Sequence, residues 1–217
     1  TVTITITRAN DVPVVTGTVA GAVAEDGVLA ASGQLTATDV DTGDSVSFAG
    51  DAAGSFGAFS VDATGAWAYA LDNVAAQVLA AGQVVTEVFT VSATDSFGAV
   101  TTQDVTITIT GANDVPVVTG TVAGAVTAAA GSDVATGALV LTDVDGDVLT
   151  ASGDSAGTYG SFAVDADGQW SYALNAAGAA YQALASGTTA TETFTVHVDD
   201  GHGGSVDTQV TVDVLGT

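Results

Sequence analysis

Apolar and polar residues alternate with a period of two along most of this chain, and that period predicts strands rather than helices. The run VTITIT occupies residues 2–7, returns unchanged over 105–110, and comes back more loosely as VTVDV over 210–214. Between these runs, GAFSVD (57–62) meets WAYAL (67–71) across Ala-Thr-Gly, and SFAVD (161–165) meets WSYAL (170–174) across Ala-Asp-Gly. Each pair predicts a hairpin whose Gly takes the left-handed turn position. Residues 88–92 and 193–198 predict one more strand apiece, and the Ala-rich stretches 75–81 and 177–185 predict at most a short helical or 3₁₀ turn.

The pattern is written twice. ANDVPVVTGTVAGAV fills residues 9–23 and again 112–126, an offset of 103 positions. That period is too long for a solenoid repeat and fits a small autonomous domain. Pro13 and Pro116, the only prolines, follow Asn-Asp-Val and do not fit the interior of a central strand, so they mark domain starts. The expected domains are 12–111 and 115–217. Residues 1–11 are expected to be the closing strand of an upstream unit or an N-terminal segment, as in a fragment of a longer chain. Short strands, Gly- and Asp-rich turns and no helical periodicity give an all-β class, two tandem β-sandwiches. Trp67, Tyr69 and Leu71 share one parity, as do Trp170, Tyr172 and Leu174. Such a stripe is either core or an aromatic platform for a sugar.

Composition changes this picture in one respect, charge. With 25 acidic residues (22 Asp, 3 Glu) against one Arg and no Lys, the net charge is −24. Disorder is excluded, because 47% of the residues are hydrophobic and fall in ordered alternation. Nucleic acid and acidic membrane surfaces require the opposite sign. No apolar run reaches the roughly 18 residues of a membrane span. A folded chain of this charge repels itself unless cations neutralise it, and short carboxylates in turns suit Ca²⁺. The alternative is a merely hydrated acidic surface. The absence of Cys removes disulfides and thiolate chemistry, and gives an extracellular location no support of its own.

The acids cluster. Asp39, Asp41 and Asp44 lie in TDVDTGD; Asp143, Asp145 and Asp147 lie in TDVDGD. Alternate carboxylates in a loop can converge on one hard cation; a wet Asp-rich turn is the other reading. Asn10-Asp11 and Asn113-Asp114 form a second acidic element, Asp95 and its counterpart Asp200 (with Asp199 beside it) a third, and Glu25 with Asp26 a fourth that the second domain lacks. Catalysis finds little support. His197 and His202 are both in the second domain, no Lys is present for a Schiff base, and no Gly-rich phosphate loop opens a helix. Abundant Asp does not amount to a carboxylate pair at the separation glycoside hydrolysis needs. The chain is expected not to be an enzyme.

Taken together, ANDVP, TDVDxGD, the GxFxVDxxGxWxYxLxN hairpin, TExFTVxxxD and the closing VTITITGAND resemble the bacterial VCBS repeat, a cadherin-like module, over nearly all of both domains. The resemblance implies two tandem cadherin-like (Ig-like Greek-key) β-sandwich domains, Ca²⁺ as cofactor, and a secreted or cell-surface location reached by type I secretion. It also implies a metal-ligand set drawn from linker, Asp-x-Asp loop and late Asp. That set is Asn113, Asp114, Asp143, Asp145 and Asp200 with Glu25 from the first domain, and upstream Asn10, Asp11, Asp39, Asp41 and Asp95. A chain of two such modules is further similar to the rhizobium-adhering lectins. This likeness implies an acidic exopolysaccharide as partner, and a role in aggregation and biofilm matrix. A calcium-rigidified spacer of a large adhesin and a self-associating homotypic module are the alternatives.

Overall fold

Strands form where Val, Ile, Phe, Trp and Tyr alternate with Thr, Ser and Ala, since such residues pack well on a half-buried pleated surface. The computed structural model describes residues 2–5, 9–41, 43–50, 53–129, 132–153 and 156–217. Its contacts divide the chain into two units, Thr1–Ala112 and Asn113–Thr217.

In unit one the elements are β1 (Val14–Gly17), β2 (Ala20–Ala24), β3 (Ala30–Thr38), β4 (Val46–Gly50), β5 (Gly57–Val61), β6 (Ala66–Leu71), α1 (Asn73–Ala76), β7 (Val84–Asp95) and β8 (Val100–Thr110). They form two four-stranded sheets in the orders β1-β3-β6-β5 and β2-β8-β7-β4. All pairings are antiparallel except β2 with β8. The duplicated segment therefore serves both sheets: β1 pairs with β3, and two residues later β2 pairs with β8. Gly17 makes the change of sheet with φ 121°, and a Cβ there would lie 2.3 Å from the Gln34 carbonyl oxygen.

Unit two repeats the plan with β9 (Val117–Gly120), β10 (Ala123–Thr127), β11 (Val134–Thr142), β12 (Thr150–Gly153), β13 (Gly160–Val164), β14 (Gln169–Leu174), α2 (Ala179–Gln182), β15 (Thr189–Asp199) and β16 (Ser205–Leu215). Its sheets run β9-β11-β14-β13 and β10-β16-β15-β12, again with one parallel pair, β10 with β16.

The aromatic stripe is core. Trp67 and Tyr69 are 2% and 1% exposed, Trp170 and Tyr172 2% and 0%. Phe59 stacks on Phe89 at 4.7 Å between ring centroids, and Phe162 on Phe194 at the same distance. Each indole N–H donates to a backbone carbonyl, Thr18 at 2.8 Å and Thr121 at 2.7 Å. Buried aliphatic residues of β7, β8, β15 and β16 close the core from the other sheet, each contributing about 1.5–3 kcal/mol. The run at the N-terminus behaves differently: residues 2–5 lie in no strand, although their sequence is that of β8.

Candidate metal centre

In both units the acidic residues come from three places at one end of the sandwich. These are the segment before the first strand, the long loop after the third, and the final hairpin turn. Each loop is first held by its own carboxylates, because Asp readily binds backbone N–H groups two residues on. Asp39 Oδ1 accepts from the Asp41 N–H at 2.7 Å, and Asp143 Oδ1 from the Asp145 N–H at 2.9 Å. The preceding segment then ties onto the loop: the Asp11 N–H donates to Asp41 Oδ2 and the Asp114 N–H to Asp145 Oδ2, both at 2.9 Å.

The hairpin turn supplies the third wall. Asp95, 5% exposed, accepts from the Phe97 and Ala99 N–H groups at 2.9 and 2.8 Å, and its other oxygen accepts from the Asn10 amide at 2.8 Å. Asp200, 2% exposed, repeats this with the His202 and Gly204 N–H groups and the Asn113 amide at 2.7, 3.0 and 2.7 Å. Burial pushes the Asp95 carboxyl up, but the Asn10 amide and the N–H groups of Ala99, Phe97 and Gly98 outweigh it and hold the group below its ordinary value of 3.8. For Asp200 the Asn113 amide is the largest influence. Against desolvation, and joined by the N–H groups of His202, Gly204 and Gly203, it also holds that carboxyl low. Both residues are thus kept as anions by the chain.

What remains points inward without a donor. Carboxylate oxygens of Asp39, Asp44 and Asp95 come within 4.8 Å of one another, as do those of Asp143, Asp145 and Asp147. Asp39 Oδ2, Asp44 Oδ2, Asp143 Oδ2, Asp145 Oδ1, Asp147 Oδ2 and the Asn113 side-chain oxygen are buried and accept no hydrogen bond among the described residues. Buried oxygens are normally satisfied, so a converging group that is not calls for a ligand of positive charge. The chain has one Arg and no Lys. An all-oxygen, anionic donor set that converges in a loop fits a hard divalent cation, above all Ca²⁺ with its six to eight oxygens and tolerance of irregular geometry. The residues present therefore fit the metal that the resemblance implies.

Glu25, 3% exposed, is at the far end of β8 from Asp95, where it accepts from the Gln77 amide at 2.8 Å and the Ala112 N–H at 3.0 Å. Asp199 is exposed and caps the Gly201 N–H at 2.8 Å. His202 Nδ1 lies 3.1 Å from Asp147 Oδ2 without the alignment of a hydrogen bond.

Sequence reasoning missed Ser96, which binds Asp44 through its N–H at 3.0 Å and through its hydroxyl. It also missed a carboxylate in each unit that is tied to a core tyrosine. Glu87 accepts from the Ser55 and Phe56 N–H groups and, at 2.7 Å, from the Tyr69 hydroxyl. Glu192 accepts from the Thr158 and Tyr159 N–H groups and the Tyr172 hydroxyl. The signal was present: Tyr in W-x-Y-A-L and Glu in T-E-x-F-T-V occur at matching places in both halves.

The profile of the bacterial cadherin-like domain matches residues 10–111 and again 113–216. Solved structures share the fold. PcdhgB3 EC1-4 is 17% identical with a TM-score of 0.57, over 95% of this chain and 51% of that one. Protocadherin Gamma B2 extracellular cadherin domains 1-5 are 15% identical with a TM-score of 0.55, over 95% and 40%. The protocadherin gammaB7 EC3-6 cis-dimer structure is 17% identical with a TM-score of 0.53, over 94% and 48%. The chain spans about half or less of the length of these structures. A search of curated protein sequences finds no match.

Proposed function

Because this chain belongs to the bacterial cadherin-like domain family, carrying two members in tandem, we propose that it is a calcium-binding adhesion module, extracellular and without catalysis, whose partner is an acidic polysaccharide of a bacterial surface or matrix. The observation that carries the calcium part is the inward-facing, donorless carboxylate oxygens of Asp39 and Asp44 in unit one and Asp143, Asp145 and Asp147 in unit two. Asn10, Asp11, Asp41 and Asp95 would complete the first set, and Asn113, Asp114 and Asp200 the second. Asp95 and Asp200 are held ionised, the Asp-x-Asp loops are pre-shaped by their own turns, and Asn10 and Asn113 fasten the incoming segment to the hairpin. When bound, the cation would supply the positive charge these loops lack and would bridge their carboxylates to those of a sugar. That answers an objection from charge: a chain at −24 repels a polyanion unless cations bridge the two.

Calorimetric titration of Ca²⁺ into metal-free protein is expected to show saturable binding and a raised melting temperature, by linkage to the folded state. Pull-down on acidic exopolysaccharide is expected to succeed in calcium and fail in chelator. Binding that survives chelator would defeat the bridging mechanism, and a flat calcium titration would defeat the metal assignment. A homotypic reading is favoured by one observation, the cis-dimer state in which a similar solved structure is described. Sedimentation in calcium without sugar, showing concentration-dependent dimers, would support that reading.

A further inference from the structure

The two nests are built alike, but different side chains face them. The final hairpin turn reads Asp95-Ser96-Phe97-Gly98 in unit one and Asp200-Gly201-His202-Gly203 in unit two. The backbone does the same in both: the Phe97 N–H donates to Asp95 Oδ1 at 2.9 Å, and the His202 N–H to Asp200 Oδ1 at 2.7 Å. Ser96 fastens Asp44, the last acid of the first loop, through its N–H at 3.0 Å and through its hydroxyl, while Phe97 is 75% exposed. Gly201 has no hydroxyl to offer, and its N–H goes to Asp199 at 2.8 Å. Asp147, the last acid of the second loop, is met instead by an imidazole, with His202 Nδ1 3.1 Å from Asp147 Oδ2.

The Asp147 side chain is only 11% exposed, and its Oδ2 is buried without a hydrogen-bond partner. Asp143 Oδ2 and Asp145 Oδ1 are buried and unpartnered in the same way, and oxygens of all three acids lie within 4.8 Å of one another. An imidazole nitrogen at 3.1 Å from a carboxylate oxygen, without the alignment of a hydrogen bond, has the spacing of two ligands on one small ion. Two donors about 2.0–2.1 Å from a tetrahedral Zn²⁺ stand roughly 3.3 Å apart. We propose that the nest of unit two is also a Zn²⁺ site, with His202 Nδ1 and Asp147 as ligands and Asp143 or Asp145 as the third. The nest of unit one, which has oxygen donors alone, is confined to hard cations, because imidazole suits Zn²⁺ whereas carboxylates alone suit Ca²⁺. The His202 side chain is 55% exposed, so an incoming ion can reach it. The other imidazole, His197, binds Asp207 at 2.7 Å and belongs to no group of three ligating side chains among the described residues. This inference rests on the reading of the nests as cation sites and adds which ion each unit accepts.

The test is titration of Zn²⁺ and, separately, Ca²⁺ into the metal-free full chain, followed by calorimetry and by NMR of the two histidine rings. A single Zn²⁺ is expected to bind, moving the ring signals of His202 and leaving those of His197 in place. His202→Phe, which installs the residue unit one carries, is expected to weaken Zn²⁺ binding by at least about tenfold, the least that disturbing even the outer partners of a metal ligand costs. Its Ca²⁺ affinity should stay within about twofold, since a hard cation draws on the oxygens. His197→Gln should change neither. The ring signals of the parent chain report the ligand without any variant having to fold. Zn²⁺ binding that survives His202→Phe unchanged, or that is lost with His197→Gln, overturns the inference and leaves the calcium reading standing; so does a chain that binds Ca²⁺ but not Zn²⁺. Zn²⁺ held through His202 in a chain that takes no Ca²⁺ supports the inference and defeats the calcium reading, and a chain that binds neither ion defeats both.

Discussion

Asp143 carries two roles on two oxygens. Oδ1 shapes the loop by accepting the Asp145 N–H, while the buried Oδ2 accepts nothing among the described residues and faces the carboxylates of Asp145 and Asp147. Asp143→Asn keeps the first and turns the second into a donor among anions. Its effect on stability should therefore change sign with the metal. In chelator the variant is expected to melt a few degrees higher than the parent, as like-charge repulsion is relieved. In millimolar calcium it should melt lower and bind the ion more weakly. Paired thermal melts with and without Ca²⁺ check this, and a shift of the same sign in both would show that the nest does not hold the ion. Asp95 and Asp200 give the acid limb. Both are held below the ordinary 3.8 in the folded state, so the unfolded chain takes up protons first. Their stabilisation is fully present above about pH 4 and is lost as pH falls through the lower folded values. Asn113→Ala removes the largest influence on Asp200. It should move the acid unfolding midpoint of unit two upward and leave that of unit one in place.

The elements show why the fold could be read from the sequence and the site only in part. A period of two, a Gly-bearing turn and the Trp-x-Tyr parity are local, so the hairpins of β5 with β6 and β13 with β14 follow from neighbours in the chain. The two-sheet role of the duplicated segment does not. It depends on Gly17, whose conformation is set by contact with a strand 17 to 18 residues onward. The acidic residues were visible as a list, and their spacing suggested which loops belong together. Which oxygens are already satisfied by N–H groups, and which are left over, depends on hydrogen bonds spanning 30 to 87 residues. No local pattern encodes those. The buried Glu192 escaped for a different reason: a Glu on an alternating strand reads as an outward-facing residue until its partners from the 158–159 loop and Tyr172 are seen. Glu192→Ala would leave two backbone N–H groups and a phenol unpartnered, and is expected to cost about 2–3 kcal/mol, seen as a lower denaturant midpoint for unit two. A different element-scale test uses the indoles. Gly33 lies so close to Trp67 that an added Cβ would come within 2.5 Å of the ring, so Gly33→Ala should destabilise unit one by about 1–3 kcal/mol through overpacking.

At the scale of the whole chain, one Arg stands against 25 acids, and these divide almost evenly, 12 up to Ala112 and 13 beyond it. Neither unit can neutralise itself, so each must gain from any cation that lowers the self-repulsion of the compact state. Two kinds of gain can be told apart. Simple screening acts on all exposed carboxylates and depends only on ionic strength, with a Debye length of about 10 Å at 0.1 M. Specific binding acts on the few oxygens gathered at the two nests and saturates at low concentration. In a calorimeter, sodium chloride is expected to raise the melting temperature gradually over hundreds of millimolar. Calcium at a few millimolar should exceed the effect of sodium chloride at matched ionic strength, and magnesium should fall short of calcium because it requires stricter octahedral geometry and gives up its water reluctantly. If the three salts superimpose on an ionic-strength axis, the carboxylate nests contribute only diffuse charge. If calcium stands alone, the leftover oxygens of Asp39, Asp44, Asp143, Asp145 and Asp147 are the reason a chain this acidic holds two compact sandwiches.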